Sequence, residues 1–114
     1  MTVAESIERG VIILRITGDV LGGPEAQEIN ERLRHHVRAG NKHVVLDVSD
    51  VGVVNSSGLG LLIAGLTIVR NAGGELRLAN PSSRLRKLLE VTKLAHVFPV
   101  DPSVDAALAQ LAIP

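Results

Sequence analysis

The most constraining feature of this sequence is a run of nineteen residues, Val51 to Val69, without a charged side chain. A chain must bury such a run, span a bilayer with it or offer it to a partner. Its length is close to that of a membrane-crossing helix. The run, however, contains Asn55, Ser56, Ser57, Thr67 and four glycines (Gly52, Gly58, Gly60 and Gly65), and it lacks flanking aromatic anchors. Those features disfavour a bilayer helix. The opening residues MTVAESIERG carry acids and no apolar signal-peptide region. The expectation is a cytoplasmic protein with no direct membrane insertion.

The rest of the chain can bury the run within a single domain, 1–114. Apolar residues make up 46% of it, although Phe98 is the lone aromatic, and this content disfavours disorder. There is no cysteine, which excludes a disulfide scaffold and Cys-ligated metal sites. Twelve Lys and Arg balance 12 Asp and Glu for a formal charge of +0, and there is no basic tract. With one Phe and no field to attract phosphates, a nucleic-acid partner is not expected.

The order of elements follows from periodicity. Residues 2–9 are a short edge-strand candidate, and Val11 to Thr17 are β-branched and apolar enough for a strand. Gly18 to Gly23 read as a turn. Pro24 suits the first helical position, and Ala26, Ile29, Leu33 and Val37 form a one-sided stripe that Gly40 can end. His43 to Val48 read as a strand buried on both faces, with a loop through Asp50 and Gly52 after it. A helix over 57–71, a turn at Gly73-Gly74 and a strand over 75–79 come next. A helix capped by Ser82 or Ser83 follows, with Leu85, Leu88 and Leu89 inward. Val97 to Val100 read as a final strand, and a last helix after Ser103 turns Val104, Ala107, Leu108 and Leu111 inward. This is an α/β domain: a leading β-hairpin, then alternating β and α, with a mixed four- to five-stranded sheet and about four helices.

The candidate site is Asn55-Ser56-Ser57-Gly58-Leu59-Gly60, where a strand-like run becomes a helix. One hydroxyl can cap the free N–H groups of the first turn. The other is then redundant and stands at the positive end of the helix dipole, where a phosphate would be held without disturbing the fold. The helix is apolar on two faces: Leu59, Leu62, Ile63, Leu66 and Val69 on one, Leu61, Ala64 and Ile68 on the other. Such a helix is either fully buried or presents a face to a partner.

Val45-Leu46-Asp47-Val48-Ser49-Asp50-Val51-Gly52-Val53-Val54-Asn55-Ser56-Ser57-Gly58-Leu59-Gly60-Leu61-Leu62 resembles the signature of STAS domains, the family of sulphate transporter and anti-sigma factor antagonist domains. Gly18-Asp19-Val20-Leu21 resembles the family's Gly-Glu-Leu-Asp turn. Asn80-Pro81 and Arg86 to Thr92 resemble its third helix, and Val97 to Val100 its closing strand. The resemblance implies a non-enzymatic anti-sigma factor antagonist that needs no cofactor of its own. Its implied partner is an anti-sigma factor that is also a serine kinase, using its own ATP and magnesium, and a PP2C-type phosphatase reverses the modification. It places the phosphorylation site at Ser56, leaves Ser57 as the helix cap, and sets Asn55, Gly58 and Asp19 around the site. Leu59, Gly60, Leu61 and Ala64, with Gly22 and Gly23, are its implied docking surface. Asn55 stands where the family usually has Asp, and Leu21 replaces the acid that ends the turn, so two negative charges are missing near Ser56. Those losses favour a second reading, a non-switching STAS scaffold in a lipid-transport ATPase complex or sensory assembly. A third reading, a small-molecule or nucleotide-binding module, rests on the helix-start anion site alone. Lys93, where Gly often follows the third helix, must adopt a left-handed conformation or send the chain out differently.

Other motifs carry less. In Gly58-Leu59-Gly60…Gly65 the third Gly falls two residues late for a dinucleotide fingerprint, and Ser56 lacks the G-x-S-x-G elbow. His35, His36, His43 and His96 have no metal-ligand spacing and read as solvated, with His36 able to flank its helix's apolar stripe. Arg84, Arg86, Lys87 and Lys93 make the third helix basic: a solvated face, or a patch for an acidic partner. Asp47 and Asp50 read as turn chemistry.

Overall fold

The hydrophobic alternation resolves into a five-stranded sheet in the order β1-β2-β3-β4-β5, in a computed structural model that describes residues 1–111. β1 (Thr2–Glu8) and β2 (Val11–Val20) form the antiparallel hairpin. β3 (His43–Val54), β4 (Glu75–Ala79) and β5 (Val100–Asp101) add in parallel, which makes the sheet mixed. The helices are α1 (Gly23–Arg38), α2 (Ser56–Asn71), α3 (Ser83–Val91) and α4 (Val104–Leu111). Alternate residues of β2 and β3 feed opposite cores. Ile12, Leu14, Ile16, Val44, Leu46 and Val48 pack with α1, α2 and α3, whereas Val11, Ile13 and Val45 pack with Ala107, Leu108 and Leu111 of α4.

Three boundaries differ from the sequence reading. β2 runs on to Val20, so the expected turn over 18–23 contracts to Leu21-Gly22. β3 does not stop at Val48 but continues to Val54, through the expected loop at Asp50 and Gly52. Its ladder with β2 shifts twice, pairing Arg15 with Asp47 but Thr17 with Asp50, then Gly18 with Val51 but Val20 with Val54. Each shift inserts one extra residue in β3, a β-bulge, so the inward residues step from Val48 to Val51 to Val54 by threes. Asp47 stabilises the first bulge by accepting the Ser49 N–H at 3.2 Å and the Ser49 hydroxyl at 2.7 Å. The last strand is shorter than expected because Val97 donates back to the Leu94 carbonyl in a turn and Pro99 has no N–H to give. Phe98 is buried in the core from that turn. Asp101 holds the two-residue β5 through a two-pronged contact with Arg77 of β4, at 2.6 and 3.2 Å.

Lys93 does take the left-handed conformation, at φ 60°. It sits in a helix-ending motif in which Leu94 N–H reaches the Leu89 carbonyl and Lys93 N–H the Glu90 carbonyl. His36 is not solvated. It is 7% exposed, and its Nε2 lies 2.9 Å from Oε1 of Glu5 on β1. That hydrogen bond is the main reason the Glu5 carboxyl is held below the ordinary glutamate range. Among the described residues no helix is long and apolar enough to cross a membrane; most of the charge-free run became the buried side of α2 and the bulged end of β3.

Candidate functional site

The site forms where β2 and β3 end side by side and hand the chain to α1 and α2. Asn55 is the junction. Its backbone is extended (φ −87°, ψ −179°), its Oδ1 accepts the Gly58 N–H at 2.7 Å, and its Nδ2 donates to the Leu21 carbonyl at 2.9 Å. The cap of α2 is therefore Asn55 and not Ser57, which corrects the expectation that a serine hydroxyl fills that role. Asn55 can do both jobs because an amide carries a donor and an acceptor, whereas an ionised Asp only accepts. An amide at this position thus has a structural use that an acid would lack: it ties the end of β2 to the start of α2. Asp19 acts similarly one strand in. Its carboxylate accepts the Val53 N–H at 2.8 Å, a ladder donor left over by the second bulge.

Ser56 and Ser57 are the first two residues of α2. Both are exposed, and neither hydroxyl has a hydrogen-bond partner among the described residues. Gly22, the N-cap of α1, adjoins them: a Cβ there would lie 2.7 Å from Ser57 Cβ, and its φ of 86° is a left-handed value that favours glycine. The N-termini of α1 and α2 therefore converge beside the serine pair, and both dipoles present their positive ends there. Against them stand Asp19 and Glu25, which line a shallow cavity with Leu21, Gly22 and Ala26, while the first turn of α2 has no acid.

The glycines of α2 divide by what surrounds them. Gly58 is buried, and any Cβ on it would overlap the Val20 carbonyl oxygen. Gly65 lets α1 approach, since a Cβ there would come within 2.8 Å of Asn30 Oδ1 and 2.9 Å of Leu33 Cδ1. Gly60 is exposed, and a Cβ there would meet nothing within 4 Å. Of the expected docking residues, Leu59 is 7% exposed and belongs to the core. Leu61 and Ala64 are half-buried beside α1, lining a cavity with Gln27, Asn30 and Arg34. The Asn30 amide donates to the Leu61 carbonyl at 3.0 Å. The apolar face expected on the outside of α2 is thus largely covered by α1. What remains open at the helix start is Gly23, Asn55, Ser56, Ser57 and Gly60, with Leu21 beside them. Asn30 carries no signal in the sequence, because its burial between two helices arises only once they pack. Among the described residues no group of three His, Cys, Asp or Glu is placed to hold a metal ion.

A family model described as the STAS domain matches residues 3–107. BtrV, a candidate anti-sigma factor antagonist of Bordetella bronchiseptica, is 29% identical over 100 residues, covering 88% of this chain and 85% of that protein. The anti-sigma F factor antagonist of Paenibacillus polymyxa is 24% identical over 108 residues, covering 92% and 90%. Among solved structures, a candidate anti-sigma factor antagonist from Thermotoga maritima superposes with a TM-score of 0.85 at 20% identity, covering 96% and 93% of the two chains. The Bacillus cell fate determinant SpoIIAA in its phosphorylated form superposes with a TM-score of 0.73 at 17% identity, covering 96% and 98%.

Proposed function

This chain belongs to the STAS domain family, and from that premise we propose that it is an anti-sigma factor antagonist switched by phosphorylation of Ser56. The observation that carries the reading is the division of labour at the start of α2. Asn55 performs the capping, so the Ser56 hydroxyl is exposed and unspent at the meeting point of two helix N-termini. An anti-sigma factor with serine kinase activity, using its own ATP and magnesium, transfers the γ-phosphoryl group to Ser56 Oγ. The serine proton leaves through the kinase, and ADP is released. A PP2C-type phosphatase restores the hydroxyl. This chain contributes an acceptor and a docking surface, not a catalytic group.

The physics supports a switch that leaves the fold alone. Phosphate adds a charge of about −1.5 to −2, and helix N-termini tolerate it well. The same charge breaks an interface that was matched to a neutral surface. Gly60 supports close docking, because a glycine exposed in the first turns of a helix weakens that helix and nothing inside the fold requires it.

The test is to incubate the chain with kinase-type anti-sigma factors, ATP and magnesium. The intact mass should rise by one phosphoryl group, Ser56→Ala should abolish the rise, and Ser57→Ala should not. Ser56→Asp should lose binding to the unmodified form's partner. An unchanged mass with every kinase, together with wild-type binding by Ser56→Asp, overturns the switch. Recovery of a transporter ATPase and no anti-sigma kinase in a pull-down would instead establish the scaffold role.

A further inference from the structure

Away from the serine pair, two of the four exposed large apolar side chains among the described residues face one groove: Val53 at 40% exposure and Val91 at 71%. The groove, about 290 Å³, lies between the end of β3 at Gly52 to Val54 and α3. Leu85 and Val54 are its buried floor and Leu88 its half-buried wall. Its only charged lining is Arg84 and Lys87, both exposed. Among the described residues neither cation belongs to an ion pair. They stand three residues apart on α3, so they sit on neighbouring turns of one face.

We propose that this groove receives an acidic amphipathic segment of a protein partner, with apolar side chains seated between β3 and α3 and carboxylates paired with Arg84 and Lys87. Charge complementarity selects the occupant: apolar walls with unpaired cations at the rim match a segment carrying the opposite pattern. Size agrees. Enclosed small-molecule pockets start at about 300 Å³, whereas this groove is open to solvent and holds a few projecting side chains. Position agrees as well, since Val54 precedes Ser56 by two residues and one partner can cover both features. Identifying that partner as the anti-sigma factor rests on the antagonist reading above; the groove's chemical preference does not.

The test uses the full chain, isotope-labelled for NMR, and three probes: a short Leu/Glu peptide of amphipathic helical spacing, its Leu/Lys counterpart, and phosphatidylglycerol vesicles. The Leu/Glu peptide should shift the amide resonances of Val53 and α3, more weakly at high salt, and the Leu/Lys peptide should not. The double variant Arg84→Glu/Lys87→Glu should weaken the acidic peptide by about tenfold or more. Arg84 lies in the first turn of α3, where an acid suits the dipole, so an unchanged melting temperature should confirm an intact fold. Val91→Ser, which touches no buried site, should weaken the peptide by about tenfold from lost apolar burial. The proposal is overturned if the groove resonances ignore both peptides, respond to both alike, or respond to the vesicles and not to the acidic peptide. Because no step uses Ser56 or a kinase, failure here and failure of the phosphorylation switch are separate results.

Discussion

Two helices, α2 and α3, begin beyond the C-terminal ends of neighbouring parallel strands, and a side chain caps each. At α3 the cap is Ser82, whose hydroxyl accepts the Leu85 N–H at 3.3 Å and is thereby occupied. At α2 the cap is Asn55, at 2.7 Å, and two serines stand beside it with their hydroxyls unspent. The α3 start solves a structural problem with the nearest hydroxyl. The α2 start solves the same problem with an amide and is wedged against β2 through Gly58, which leaves its hydroxyls to the outside. A serine at a helix start is thus no evidence of capping until the first turn's donors have been assigned.

That contrast can be broken or sharpened by substitution. The largest effect should come from Gly58→Ala: its Cβ overlaps the Val20 carbonyl, α2 must move off β2, and urea denaturation should show a loss of about 3 kcal/mol. Next is Asn55→Ala, which removes both the cap and the tie to Leu21 and should cost about 1–2 kcal/mol. Asn55→Asp keeps the cap, adds a favourable charge at the helix end and loses the tie to Leu21, so its net change should stay within about 1 kcal/mol.

A direct comparison of serines follows. Ser82→Ala should cost about 1 kcal/mol, while Ser56→Ala and Ser57→Ala should each change stability by less than about 0.5 kcal/mol in the same melts. Equal losses at Ser82 and Ser56 would erase the distinction between the two helix starts. The smallest effect has the opposite sign: Gly60→Ala should stabilise the fold by about 0.5 kcal/mol, yet weaken partner binding measured by calorimetry. Unchanged binding would remove Gly60 from the docking surface.

Much of this was legible in the sequence. The hairpin, the order of strands and helices, the inward stripe of α4 and a serine cap at Ser82 or Ser83 follow from local periodicity and capping chemistry; the structure decides for Ser82. The continuation of β3 through Asp50 and Gly52 was not legible, because each bulge breaks the two-residue alternation by which a strand is recognised. The cap of α2 was misread because Asn and Ser have nearly equal N-cap preference. Which one serves depends on the end of β2, where the Leu21 carbonyl offers Asn55 a second bond. His36 was misread for a related reason: its surroundings come from β1, thirty-one residues earlier in the chain.

By itself the sequence determined that the charge-free run had to be sheltered by an α/β domain and that a hydroxyl pair would stand at a helix start, since burial and capping act over a few residues. Only the tertiary structure decided which face of that run is open. α1 covers Leu61 and Ala64, the core takes Leu59, and the part left open at the start of α2 is a small patch of Asn55, Ser56, Ser57 and Gly60 at the convergence of two helix dipoles. Burial and field at that patch are set by segments far apart in the chain, whose meeting no local pattern encodes.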